Sequence, residues 1–154
     1  MVFRHQSMAL ERMKERVRLI LPYEGGFLVE ELKNLPNPGI LRHIGGGVEH
    51  WETPLQALQR EISEELGLVL PVSKVEYFNT YKDVHENPHH YFVWEEHPLV
   101  PGVYTHKSGH GAHVARVELK CLELGKLTKE NNYMGPCLFY KEGRLWGTEG
   151  HYAV

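Results

Sequence analysis

The chain lacks the marks of several broad protein classes. No stretch approaches 18 consecutive apolar residues, so hydropathy gives no transmembrane helix. Cysteine is scarce. Cys121 and Cys137 lie 16 apart with no CxxC and no paired framework. That excludes a disulfide scaffold and leaves two reduced thiols in a reducing compartment as the expectation. Excess positive charge is missing too, with 17 Lys and Arg against 20 Asp and Glu and a net charge of −3. Nucleic-acid binding by bulk charge is therefore not expected, although a local basic patch stays open. There is no internal repeat and no low-complexity tract. The opening MVFRHQSMALERMKER mixes charged and apolar residues without an unbroken apolar core, unlike a secretory signal. A cytoplasmic protein without a membrane partner is the expectation.

What is present suits one globular domain over residues 1–154, a length of 154 residues at 42% hydrophobic and 24% charged. A chain of this size buries roughly 68–70% of its unfolded surface. Residues 5–15 read as a short helix, and segment 1–15 as a helical extension and a candidate homodimer interface. RVRLIL (16–21) and FLVEEL (27–32) read as strands, punctuated by Pro22 and Gly25-Gly26, and make a hairpin. KNLPNPG (33–39) reads as a loop, and ILRHI (40–44) as a short strand running into Gly45-Gly46-Gly47. Strand-like runs follow at 75–81, 89–96 and 114–124, and a last helix is expected from Thr128 to about Lys141, interrupted by Gly135-Pro136. Many strands with one or two helices predict an α+β layer fold with a mixed sheet.

The best-marked helix begins after Thr53. Thr53 is a natural N-cap, Pro54 occupies the first helical position, Gln56 completes a capping box, and Gly67 stands at the C-terminal end. Leu55, Leu58, Ile62 and Leu66 form one apolar stripe. Glu61, Glu64 and Glu65 lie beside it. Like charges at these spacings cost a few tenths of a kcal/mol per pair (~0.2–0.5). Read alone, the three carboxylates are either a solvated acidic face or a site for a hard divalent cation, which prefers carboxylate oxygens and bridges to phosphates.

Their neighbours sharpen the reading. The segment GGVEHWETPLQALQREISEELGL ends at Leu68 and places Gly46, Glu52, Arg60, Glu61, Glu64, Glu65 and Gly67 at fixed spacings. Such a match arises by chance on the order of 10⁻⁸ per start site. This is the complete Nudix box, and the chain resembles the Nudix hydrolases. The resemblance implies an α/β/α sandwich with a mixed sheet. It also implies cleavage of a nucleoside diphosphate linked to another moiety, X, with Mg²⁺ or Mn²⁺. Carried over, Glu61, Glu64, Glu65 and the carbonyl of Gly45 would hold metal. Glu61 and Glu64 would be catalytic, with Glu61 preferred for deprotonating the attacking water. Glu52 and Arg60 would form a supporting ion pair, Gly46 would allow a tight turn towards the metal site, and Gly67 would close the helix. Substrate-binding residues are not identified. A non-catalytic ligand-binding module and an isoprenoid diphosphate isomerase are the alternatives, and the intact box argues against both. RNA decapping ranks low.

The pattern has gaps. The family usually has glycine before Glu52, where this chain has Trp51, which either covers the loop or meets substrate. Many relatives use a further acid in a late loop. Here HKSGHGAHVARVE (106–118) offers His106, His110 and His113 and no carboxylate before Glu118. Histidines 85, 89 and 90 read as surface or strand-edge residues, and Tyr77, Phe78, Tyr81, Tyr91, Phe92 and Trp94 as core.

Overall fold

The computed structural model describes residues 14–34, 38–107 and 114–151. The helix expected over 5–15 lies outside these residues except for its last two positions. So do the middle of the 33–39 loop and both His110 and His113.

Strand β1 (Arg16–Tyr23) folds back on β2 (Gly26–Glu31) through Glu24-Gly25. Both turn residues have positive φ, 36° and 79°, the backbone that two-residue hairpins demand. Two short strands follow, β3 (Leu41–Arg42) and β4 (Ile44–Gly47), so the single strand expected over 40–44 is divided at His43. Helix α1 (Pro54–Leu66) leads to β5 (Glu76–Lys82), β6 (Pro88–Val93), β7 (Gly102–Lys107) and β8 (Val114–Glu123). The chain closes with β9 (Gly135–Lys141) and β10 (Arg144–His151).

The main sheet runs β5-β6-β1-β2-β8-β7, with β3 on β2 and β4 on β1. It is mixed: β1 and β6 are parallel, and the other pairs are antiparallel. The architecture is therefore α+β, as expected. One edge of β1 changes partner along its length. Arg16–Leu19 pairs with β4 and Leu21–Tyr23 with β2, while β6 holds the other edge. The sheet thus forks between β2 and β4, and the fork opens beside α1.

Period-2 alternation sorts β1 onto two buried faces. Val17, Leu19 and Leu21 pack with Ala57, Leu58, Ile62 and Leu66 of α1. Leu55 of the expected stripe is only partly buried there. Ile20 turns to the opposite layer with Phe27, Val29, Tyr91, Tyr133 and Leu138. Fully burying each large aliphatic contributes about 1.5–3 kcal/mol, so α1 is held mainly by its stripe. Tyr81, Tyr91, Phe92 and Trp94 are core as expected, whereas Tyr77 is exposed. No helix among the described residues is long and apolar enough to cross a membrane.

The C-terminal region corrects the expected helix over 128–141. A single 3₁₀ turn, Lys129–Asn131, is followed by the β9–β10 hairpin. Pro136 cannot donate a helical hydrogen bond, and CLFYK supplies β-formers. Glu142 and Gly143 then close the hairpin at φ 54° and 73°.

Candidate active site

The local sequence places α1 firmly. Gln56 N–H donates to Thr53 Oγ1 at 3.2 Å, Thr53 N–H donates to Gln56 Oε1 at 2.9 Å, and Gly67 ends the helix at φ 68°. With the helix fixed, Arg60 becomes the hub of the carboxylates around it. Its Nε donates to Glu52 Oε2 at 2.7 Å and its Nη2 to Glu52 Oε1 at 2.9 Å. Nη2 also reaches the Gly47 carbonyl at 2.9 Å. The remaining nitrogen, Nη1, donates to Glu61 at 3.0 Å and Glu64 at 3.3 Å. One guanidinium thus ties the loop after β4 to the helix and neutralises the carboxylates beside it. The Glu52 side chain is 2% exposed and that of Glu64 is 50% exposed, so the Glu52 contact is strong and the Glu64 contact weak.

Electrostatics separates the glutamates. The Arg60 hydrogen bonds hold the Glu52 carboxyl below its ordinary range. Burial raises Glu61, and Arg60 opposes that rise. Burial pushes Glu65 up to about 9, helped by the charges of Glu30 and Glu61. Glu65 Oε2 is buried without a hydrogen-bond partner. An isolated buried carboxylate is costly, so this oxygen calls for a proton or a cation.

Glu61, Glu64 and Glu65 line an open groove of about 650 Å³ whose other wall includes Glu30, Arg42 and Arg116. Sequence reasoning missed Glu30 and Arg42. Glu30 is 6% exposed on β2, and Arg42 of β3 donates to it through Nε at 2.9 Å. Glu30 is thus an acid outside the box motif that faces the helix carboxylates. Arg18 of β1 is also buried, and burial together with Arg42 lowers its pKa to about 10. It remains charged at neutral pH, and its field acts on both Glu61 and Glu65.

Several expected features take another form. Gly46 does not sit in a turn. It is an extended residue of β4 paired with Val17, next to Gly45 opposite Arg18. A Cβ there would collide with the Glu61 carboxyl and push it from its place. Trp51 is 68% exposed and has no positive φ, so the loop turns without the unusual backbone that glycine provides. His89 is not a surface residue. It is buried, with Nε2 3.0 Å from Asp83 Oδ2, and His90 Nδ1 lies 2.8 Å from Thr80 Oγ1. His106 packs over Gly67 at the end of α1. Glu118 pairs with Lys33 at 3.1 Å and does not itself line the groove.

As the side chains stand, no three His, Cys, Asp or Glu among the described residues converge as a metal site. Arg60 holds Glu61 and Glu64 instead. The donor chemistry still fits a hard divalent cation: three carboxylates on one helix, one with an orphaned buried oxygen, beside an open groove.

Fold and groove together define an α+β protein that presents a carboxylate-bearing helix beside a forked mixed sheet. A family model described as the NUDIX domain matches residues 13–136, and the chain belongs to that family. Among solved structures, it is similar to DR0079 from Deinococcus radiodurans at 14% identity and a TM-score of 0.55, covering 77% of this chain and 72% of that one. A NUDIX hydrolase from Nitrosomonas europaea is 20% identical with a TM-score of 0.51, covering 77% and 62%. A MutT/nudix family protein from Enterococcus faecalis is 17% identical with a TM-score of 0.49, covering 80% of this chain and 59% of its own. The chain therefore spans under two thirds of the length of two of these neighbours. No curated protein matches it.

Proposed function

We propose that the chain hydrolyses the diphosphate of a nucleoside diphosphate linked to a second moiety, X, with Mg²⁺ or Mn²⁺. The observation that carries this reading is the buried, unpartnered Glu65 oxygen on the wall of a groove shared with Glu61 and Glu64. A protein keeps such a group where a cation is to meet it.

Glu61, Glu64, Glu65 and the carbonyl of Gly45 would hold the ion. When bound, the ion neutralises the diphosphate and lowers the pKa of attacking water. The protein's own groups do the rest. Glu61 accepts the water's proton, a role suited to a carboxyl whose pKa burial has raised. Arg60 retains its two bonds to Glu52 and keeps the helix in register with the Gly47 loop. Arg42, on the facing wall, offers positive charge to phosphate oxygens. Reduced Cys121 and Cys137, both free, accord with a cytoplasmic setting, and homodimerisation belongs to the same reading.

The test is phosphate release over a panel of nucleoside triphosphates, dinucleoside polyphosphates, ADP-ribose and nucleotide sugars. Each is assayed with Mg²⁺, Mn²⁺ or chelator, with added phosphatase to reveal monophosphate products. Metal-dependent turnover that falls at least about 100-fold in Glu64→Gln, on the scale of a lost catalytic group, is expected. Near-normal turnover in that variant would sink the assignment.

A further inference from the structure

Arg18 is buried where the proposed reaction gives it no task. It lies in the middle of β1, is 3% exposed, and its Nη1 atom has no hydrogen-bond partner. A buried guanidinium with an unmet donor is among the costliest groups an interior can hold. Together with Arg16, Arg42, His85 and His89 it walls a cavity of about 160 Å³. Among the described residues, Asp83 is the one carboxylate on that wall, and it is already engaged. It accepts from the backbone N–H groups of His85 at 2.9 Å and Asn87 at 3.0 Å, and it meets His89 Nε2 at 3.0 Å. Arg42 is paired with Glu30 at 2.9 Å, so Arg16 and Arg18 are the two guanidinium groups left against one engaged carboxylate, and the cavity keeps a smaller excess of positive charge.

We infer that this cavity is a binding site for a phosphoryl anion. A planar guanidinium fork matches phosphate oxygens in pairs, and a dianion would offset charge that a neutral base or sugar leaves standing. Arg42 lines both this cavity and the carboxylate groove. This placement rests on the function proposed above. A substrate whose diphosphate lies in the groove can extend a further phosphate past Arg42 into the cavity. Free phosphate would satisfy the same donors, so the chemistry is common to both sources.

The test begins without metal and without turnover. Thermal unfolding is followed in chelator as inorganic phosphate is titrated against an ionic-strength-matched chloride control. The wild type is expected to show a saturable rise in Tm. Arg18→Met should start at an equal or higher Tm, because a buried unpaired charge is gone, and its apparent affinity for phosphate should fall at least tenfold. Arg16→Gln, nearer the surface, should weaken it at least threefold and carries the test if Arg18→Met fails to fold. Glu64→Gln should respond to phosphate as the wild type does. No saturable response in the wild type, or an undiminished response in both arginine variants, overturns the proposal. A second arm compares KM for diphosphate compounds with and without an additional phosphate. A selective rise for the phosphorylated compound in Arg16→Gln or Arg18→Met assigns the anion to the substrate, and an equal KM for both assigns it to free phosphate. If the whole panel fails to turn over, the hydrolase reading falls while the phosphate titration still decides the cavity.

Discussion

Replacing Arg60 with methionine tests the organisation of the site most directly. The change keeps much of the side chain's length and removes the two hydrogen bonds to Glu52, at 2.7 and 2.9 Å, and the one to the Gly47 carbonyl. Glu52, with its side chain 2% exposed, keeps the Glu49 N–H at 2.9 Å as its surviving partner. Charged hydrogen bonds contribute about 1.5–3 kcal/mol each when removal strands a buried partner. Arg60 itself is a quarter exposed, so the lower end applies and the loss should be about 2–3 kcal/mol in total. For a chain of this length that is a fall in Tm of about 4–12 °C, measured by thermal unfolding at pH 7. The pH dependence has a defined sign. Arg60 depresses the pKa of Glu52 in the folded state, so its stabilisation is complete above the ordinary value near 4.5 and is lost as pH falls through the lower folded value. Wild type and variant should therefore converge in acid. In a double-mutant cycle, Glu52→Gln should add little to Arg60→Met. A Tm within 2 °C of wild type at pH 7, or fully additive effects, would refute the hub.

Glu65 carries the opposite sign. With its folded pKa at about 9, the unfolded chain ionises first as pH rises from about 4.5, and stability falls across that window. In chelator at pH 8, Glu65→Gln should therefore be more stable than wild type, by up to about 5 kcal/mol at ~1.4 kcal/mol per pH unit above 4.5, read as a denaturant midpoint, and equal midpoints would contradict the burial argument. Adding Mg²⁺ to weakly buffered wild type at pH 8 should release a proton that Glu65→Gln does not release, as a pH electrode can follow. Gly46→Ala should displace the Glu61 carboxyl and remove most metal-dependent turnover in the phosphate-release assay. Ile62→Ala, at a fully buried position, should cost about 2–5 kcal/mol in urea unfolding by loosening α1 from the sheet.

What could be read from the sequence was local. The capping box, Pro54, Gly67 and the apolar stripe each depend on residues within one or two turns, and α1 lies where they place it. The Glu52–Arg60 contact spans eight positions on one loop and helix, and it was the resemblance to the Nudix box that implied it. The C-terminal hairpin was legible in principle: Glu142-Gly143 repeats the Glu24-Gly25 chemistry of the first hairpin. The polar residues of 128–134 concealed it by suggesting a helix. The facing wall of the groove was not legible, because it depends on how distant strands pair. FLVEEL shows Glu30 and Glu31 side by side with nothing to tell them apart. Their fates diverge once Leu28 is known to pack with α1. Period-2 alternation then carries Glu30 towards the helix carboxylates and Arg42, while Glu31 goes to Lys33 and Lys120 on the other side. The same rule applies to β1, where Val17 and Leu19 pack with α1 and Arg18 is left on the other face. The charge pattern of RVRLIL reads as a half-exposed strand, but β4 and β6 flank Arg18 on both edges and the second layer covers it. An alternating pattern names the residues that share a face. Whether that face meets water is decided by the layers above it, and here those layers turn two ordinary-looking charges, Glu30 and Arg18, into buried groups that border the site.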